Sequence, residues 1–210
     1  MIRVLIADDH AVVRRGVRMV LESTSRIIVA AEAATGPEAL DMARKVAIDV
    51  AVLDLSMPGP GGLEVLKQFK GEHPRLPVLI LTMHPEDQYA VRAIRAGASG
   101  YLTKQSIPEE LIKAVETLAA GRKYITAPVA EALATQVHHD TVKLVHERLS
   151  DREYQVLLRI ASGRTVGEIA EEVRLSPKTV STYRSRILEK MELKTSAELT
   201  HYAFANKLVE

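Results

Sequence analysis

The side chains able to do chemistry in this 210-residue chain stand at the ends of apolar runs. Asp54 follows Val50-Ala51-Val52-Leu53, and Asp8 and Asp9 follow Val4-Leu5-Ile6-Ala7. Thr82 follows Val78-Leu79-Ile80-Leu81, and Lys104 follows Tyr101-Leu102-Thr103. An aspartate carboxylate can attack phosphorus and carry the phosphoryl group as an acyl phosphate. Donor and transferred group are both anionic, so such a site needs cations and fixed positions. Mg2+ is a small hard ion that takes one or two carboxylates together with waters and phosphate oxygens. Asp8, Asp9 and Asp54, with the backbone carbonyl of Ser56, are its candidate ligands. Lys104 would meet the phosphoryl group as a point charge, and Thr82 would donate its hydroxyl to another phosphoryl oxygen.

Near-continuous Val, Ile and Leu runs that alternate with helical segments predict strands buried on both faces of a parallel sheet. Strands are expected near 2–7, 27–32, 49–53, 78–82 and 99–102, and helices near 10–23, 36–47, 61–71, 86–96 and 108–120. Five such βα units make a doubly wound open sheet with right-handed crossovers. Ligands of these sheets bind outside the carboxyl ends of the strands, where all the residues above would meet. Pro58, Gly59, Pro60, Gly61 and Gly62 predict a tight turn after Asp54. Taken singly, each residue has a plainer use. Asp8 or Asp9 would cap the helix at His10, Asp54 would nucleate the turn, Thr82 would end a strand, and Lys104 would be solvated. Their shared placement at one end of four strands favours the phosphoryl chemistry.

Past Gly121 the strand pattern stops. A modest helix is expected over 126–137, and the stretch from His138 to His146 lacks an apolar stripe and reads as linker with solvated histidines. The expected division is 1–121, a linker of 122–147 holding one helix, and 148–210. The last part is all helix. Ser150-x-x-Glu153, Thr165-x-x-Glu168 and Thr195-x-x-Glu198 are capping boxes opening 151–161, 166–173 and 195–206. Ser176-Pro177 opens 177–191 with N-cap and N1 chemistry. At about 100° per residue, Val180, Tyr183, Ile187, Leu188 and Met191 share one face of that helix, with Lys178, Ser181, Thr182, Ser185, Arg186 and Glu189 opposite. Arg184 falls within the apolar arc, where it snorkels or pairs with Glu171 or Glu172. The helices either side of Arg174-Leu175-Ser176 form a helix-turn-helix whose second helix could enter a major groove. Basic residues cluster here in a chain of net charge +1, which suits phosphate contacts. An interaction module with a solvated basic face is the rival reading.

The absence of cysteine agrees with a reducing cytosol and excludes thiolate metal sites. The N-terminus has no signal-peptide pattern, and no apolar run reaches membrane-spanning length. A cytoplasmic protein without a membrane partner is expected.

Residues 2–121 resemble the receiver domain of bacterial response regulators, through Asp8-Asp9, Asp54-Leu55-Ser56-Met57-Pro58-Gly59, Thr82 and Tyr101-Leu102-Thr103-Lys104. The resemblance implies a flavodoxin-like sheet, phosphorylation of Asp54 by a sensor histidine kinase, and Thr82 with Tyr101 as a switch pair in which the phosphoryl group draws in the Thr82 hydroxyl and Tyr101 then turns inward. Many receivers carry proline after the lysine, often with a cis bond. Gln105 stands here, where a cis bond would cost about 2.5–4 kcal/mol. Ser56 and His84 occupy positions that tune phosphate lifetime in the family.

Residues 149–208 resemble the LuxR-type helix-turn-helix of the NarL/FixJ branch of response regulators. The match is carried by Leu149-Ser150-Asp151-Arg152-Glu153, Glu168-Ile169-Ala170 and the stretch from Leu175 to Arg184. It implies a recognition helix that meets promoter DNA through Lys178, Thr179, Ser181, Thr182, Ser185, Arg186 and Lys190, and a last helix that pairs two copies as a homodimer on DNA. RNA polymerase is a candidate further partner. Val166 and Gly167 depart from the polar residues usual there, which removes a backbone phosphate contact. The expected function is therefore a transcription regulator and not an enzyme. Its rivals are an aspartate-nucleophile phosphatase, whose Asp-x-Asp pair this chain lacks, and a signalling adaptor.

Overall fold

The computed structural model describes residues 1–57, 62–83, 86–106, 108–139, 145–173, 175–206 and 208–209. The predicted turn at 58–61, His84, and 140–144 of the expected linker lie outside them. The chain divides into two compact units, Met1–Val137 and His138–Glu210.

In the first unit the order is β1 (Ile2–Ala7), α1 (Ala11–Glu22), β2 (Ile27–Ala33), α2 (Gly36–Lys45), β3 (Val50–Leu53), α3 (Gly62–Glu72), β4 (Val78–Thr82), α4 (Glu86–Arg95), β5 (Gly100–Thr103), α5 (Pro108–Ala119) and α6 (Ala127–His139). All strand pairs are parallel, in the order β2-β1-β3-β4-β5. Every residue of β3 and β4 is buried, as an apolar run without alternation requires when both sheet faces are covered. The edge strand β2 alternates buried with more exposed residues. Val17 and Leu21 of α1, with Leu111, Ala114, Val115 and Leu118 of α5, pack with Val4, Ile6, Val52, Leu79 and Leu81 in one core. Leu63, Val65, Leu66 and Phe69 bury the inner face of α3. The chain order reverses between β1 and β3, and a doubly wound sheet opens its ligand crevice at such a switch point.

Residues 122–137, read from the sequence as linker, fall within this first unit. Tyr124 N–H donates to Ser99 O at 3.0 Å, and Val129 of α6 is buried.

The second unit holds a 3-10 turn (Val145–Arg148), α7 (Asp151–Ala161), α8 (Val166–Glu172), α9 (Pro177–Lys190) and α10 (Ser196–Ala205). Each of the three expected capping boxes closes in both directions, and Ser176 accepts the Thr179 N–H with Pro177 in the first turn of α9. α7 is buried continuously from Glu153 to Leu158, because α8, α9 and α10 all pack against it. The solvated role expected of His146 does not hold. It is buried, with Nδ1 3.0 Å from the Tyr202 hydroxyl and its ring against Tyr154. The sequence pattern missed this because the 3-10 turn has no apolar stripe and takes its partners from helices distant in sequence. Among the described residues, no helix is long and apolar enough to cross a membrane.

Candidate functional site

β1 delivers Asp8 and Asp9 and β3 delivers Asp54, on either side of the switch point. Asp54 is 1% exposed and Asp8 3%, so both carboxylates are out of water and need partners. Lys104, just past β5, supplies one. Its Nζ donates to Asp54 Oδ2 at 2.8 Å and lies 2.6 Å from Asp8 Oδ2. Burial works against the Lys104 ammonium, but Asp54 and Asp8 outweigh it and hold its pKa above the ordinary lysine value. The lysine therefore stays charged.

The remaining oxygens are also directed. Ser56 N–H donates to Asp54 Oδ1 at 3.1 Å, and His10 N–H donates to Asp8 Oδ1 at 2.8 Å. Asp8 thus orders the turn into α1, while His10 itself is the N-cap residue. Arg14, one turn into α1, donates to the Asp8 carbonyl at 2.7 Å. Sequence reasoning passed over Arg14, although its spacing of four from His10 sets it on the helix face above the acid pair. Asp8, Asp9, His10 and Asp54 each offer a ligand atom within 4.8 Å of the others. Buried carboxylate oxygens flanked by one lysine are a donor set for a hard divalent cation.

Thr82 ends β4, and its carbonyl accepts the Lys104 N–H at 2.8 Å. Its hydroxyl is fully buried and makes no hydrogen bond among the described residues. A buried hydroxyl without a partner costs about 1–3 kcal/mol. Tyr101 pairs with Ile80 across β4 and β5, and its ring is wholly inside the core. The Lys104–Gln105 bond is trans. Beyond Asp54 the chain is pinned by a close approach. A Cβ on Gly62 would lie 2.3 Å from Leu55 Cα, so only glycine lets α3 start this close to the strand end.

On α9, Val180 and Ile187 are buried, whereas Lys178, Ser181, Thr182, Ser185, Arg186 and Lys190 are exposed. The Thr182 and Ser185 hydroxyls donate to the carbonyls of Lys178 and Ser181. Two of the residues expected on the DNA face have other tasks. Thr179 is half-buried and completes the cap, its N–H and Oγ1 both meeting Ser176 Oγ. Lys190 Nζ donates to Glu153 Oε2 at 2.7 Å and ties α9 to α7. Burial pushes the Glu153 pKa up, but Lys190 and the Ser150 N–H outweigh it and hold it below the ordinary glutamate value. Arg184 donates to Ser196 Oγ at 2.7 Å, not to Glu171 or Glu172. Glu172 is taken by Arg159 and Arg164.

The chain matches the family model for the response regulator receiver domain over residues 4–116 and that for bacterial regulatory proteins of the luxR family over 147–203. It is 38% identical over 209 residues to the response regulator UvrY of Escherichia coli (strain K12), spanning 99% of this chain and 96% of that one. Identity to the response regulator GacA of Pseudomonas aeruginosa is 37% over 214 residues, spanning 100% and 99%. RcsB from Salmonella enterica serovar Typhimurium, solved bound to promoter P1flhDC in the presence of the phosphomimetic BeF3-, superimposes with a TM-score of 0.61 at 30% identity, over 96% of this chain and 97% of that one. Receiver sheet, acidic pocket and LuxR-type helices together make the chain a member of the response regulators of the NarL/FixJ branch, DNA-binding transcription regulators of two-component systems.

Proposed function

We propose that Asp54 is the phosphoacceptor of a two-component switch whose output is promoter binding by the second unit. A carboxylate oxygen of Asp54 attacks the phosphorus of a phosphohistidine on a partner sensor histidine kinase. The P–N bond breaks, the imidazole leaves, and an acyl phosphate remains on Asp54. Lys104 exchanges its bond to Asp54 for one to a phosphoryl oxygen, and the buried Thr82 hydroxyl donates to another. Asp8, Asp9, Asp54 and the Ser56 carbonyl would hold Mg2+, which when bound neutralises charge on the phosphoryl oxygens. Thr82 and Tyr101 form the switch pair that carries the change to the surface. The single observation behind this reading is Lys104 joined to two buried carboxylates from different strands.

In the second unit, α9 enters the major groove. Lys178 and Arg186 meet phosphates, and Ser181, Thr182 and Ser185 turn their hydroxyls from helix carbonyls to base edges. Thr179 and Lys190 serve mainly to hold the helix. Two copies pair through α10 on neighbouring half-sites, as homodimers in the cytoplasm, where RNA polymerase is the further partner. RcsB, 30% identical to this chain, is solved bound to a promoter, which supports promoter binding as the output of this chain.

The test compares wild type with Asp54→Asn, using acetyl phosphate and Mg2+, by intact mass and by gel shift on promoter DNA. Wild type gains a phosphoryl group and binds more tightly, and the variant does neither. An equal response from both would overturn the switch.

A further inference from the structure

The phosphoryl chemistry leaves His10 without a task. It is the N-cap of α1, a position favoured by Ser, Thr, Asp and Asn because their short side chains accept a helix N–H. The His10 ring makes no such bond. Its side chain is 55% exposed, yet it turns toward the acids, with Nδ1 2.8 Å from Asp9 Oδ1 and 3.3 Å from Asp8 Oδ1.

Those spacings suit a shared ion. Two donors at right angles around an octahedral ion with bonds of about 2.1 Å lie about 3.0 Å apart, and opposite donors about 4.2 Å. The four ligand atoms of Asp8, Asp9, His10 and Asp54 sit within 4.8 Å of one another, so a small contraction brings them onto one centre. Asp8 divides its oxygens between the two sides. Oδ2 meets Lys104, while Oδ1 is the atom near His10. The lysine and an ion therefore need not compete for the same lone pairs.

We propose that His10 is a further metal ligand of this pocket, and that its imidazole turns the preference of the pocket toward late first-row divalent ions such as Co2+ and Zn2+. The proposal rests on the reading of the acidic pocket as a metal site and concerns which ion it favours. Mg2+ is satisfied by oxygen and water, and gains little from nitrogen. Imidazole suits the later ions, which bind nitrogen more strongly along the first row. A pocket of carboxylates alone would lack that discrimination.

The test uses the full chain and calorimetric titration with Mg2+, Co2+ and Zn2+, together with the visible absorption of Co2+. Three proteins are compared: wild type, His10→Asn and Asp8→Asn. Asparagine is a good N-cap, so the first variant keeps the start of α1, and thermal melts check both. Replacement of His10 lowers Co2+ and Zn2+ affinity at the pocket by about tenfold or more, alters the Co2+ spectrum, and changes Mg2+ affinity far less. Asp8→Asn retains every histidine and weakens all three ions, which separates the pocket from adventitious surface histidines. If Asp8→Asn weakens Mg2+ while His10→Asn leaves the Co2+ to Mg2+ ratio and spectrum unchanged, the pocket stands and the assignment of His10 falls. If wild type binds no ion that Asp8→Asn removes, the pocket is not a metal site and both fall.

Discussion

Asp8, Asp54 and Lys104 bring opposite charges together inside the first unit, whereas Lys178 and Arg186 hold theirs in water along α9. The two arrangements answer to different physics. Buried charges must be paired, and their interaction is screened little by salt. Exposed charges contribute little to folding, but on a polyanion they release counterions and bind with steep salt dependence. A reactive site needs the first arrangement, because groups must wait in fixed positions for the phosphoryl group. A DNA-facing helix needs the second, since a lysine already satisfied within the protein has less to offer a phosphate. Lys190, held by Glu153, lies between the two cases.

Breaking the buried set should have the largest effect on the fold. Lys104→Met would strand two carboxylates that have left water, costing about 3 kcal/mol of stability. Urea unfolding followed by circular dichroism measures this, and the loss should persist at high salt. If the acidic pocket takes a divalent ion, millimolar Mg2+ should recover part of it, because the ion then supplies the missing positive charge. Stability unchanged by the substitution would mean that water, not Lys104, satisfies Asp8 and Asp54.

The intermediate case can be tested by pH. The Glu153 carboxylate has a folded-state pKa below its ordinary value of 4.5, and it accepts from Lys190 and Ser150 in a buried position. A depressed carboxylate contributes stability that is present above the unfolded value and lost as pH falls through the folded one. Wild type should therefore lose stability more steeply than Glu153→Gln as pH falls below the ordinary glutamate value of 4.5, and the variant should itself be about 1–2 kcal/mol less stable near neutrality. Thermal melts across that range, on both proteins, decide it. Parallel pH profiles would show that Glu153 acts through shape alone.

How legible each region was follows from the same contrast. Asp8, Asp54 and Lys104 could be placed from sequence because continuous apolar runs fix the strands, and the residue after a parallel strand has one place to go. The capping boxes were legible because their chemistry lies within four residues. Glu153 with Lys190, Arg184 with Ser196, and His146 with Tyr202 were not. Each joins side chains at least twelve positions apart on different elements, and no periodicity encodes which of several nearby acids or hydroxyls a cation reaches. Lys190 and Thr179 entered the DNA-facing set through the family resemblance, and neither a motif nor a helical wheel shows what a side chain already holds.

The start of α9 gives a smaller effect of known sign. Ser176 accepts the Thr179 N–H at 3.1 Å, and the Thr179 hydroxyl meets Ser176 Oγ at 2.8 Å. Ser176→Ala should cost about 1 kcal/mol and fray the first turn, where Lys178 sits. Thermal melts would give the first quantity, and amide exchange at the helix start the second. Ser176→Asp should retain most of the stability, since aspartate caps as well.

The exposed end of the comparison predicts the least effect on the fold. Lys178 and Arg186 have no ion pair among the described residues, so Lys178→Ala should leave stability within about 0.5 kcal/mol of wild type. On DNA its loss should weaken every sequence alike and reduce the slope of log K against log salt by about 1, as one phosphate contact requires. Thr182→Ala should do the reverse, holding the slope while relaxing preference at one base position. Fluorescence anisotropy with a promoter fragment and its base-pair variants, at several salt concentrations, measures both. Identical changes from the two substitutions would mean that α9 does not lie in the groove with Lys178 at the backbone and Thr182 at the bases, and that the basic face is a solvated surface of a protein-binding module.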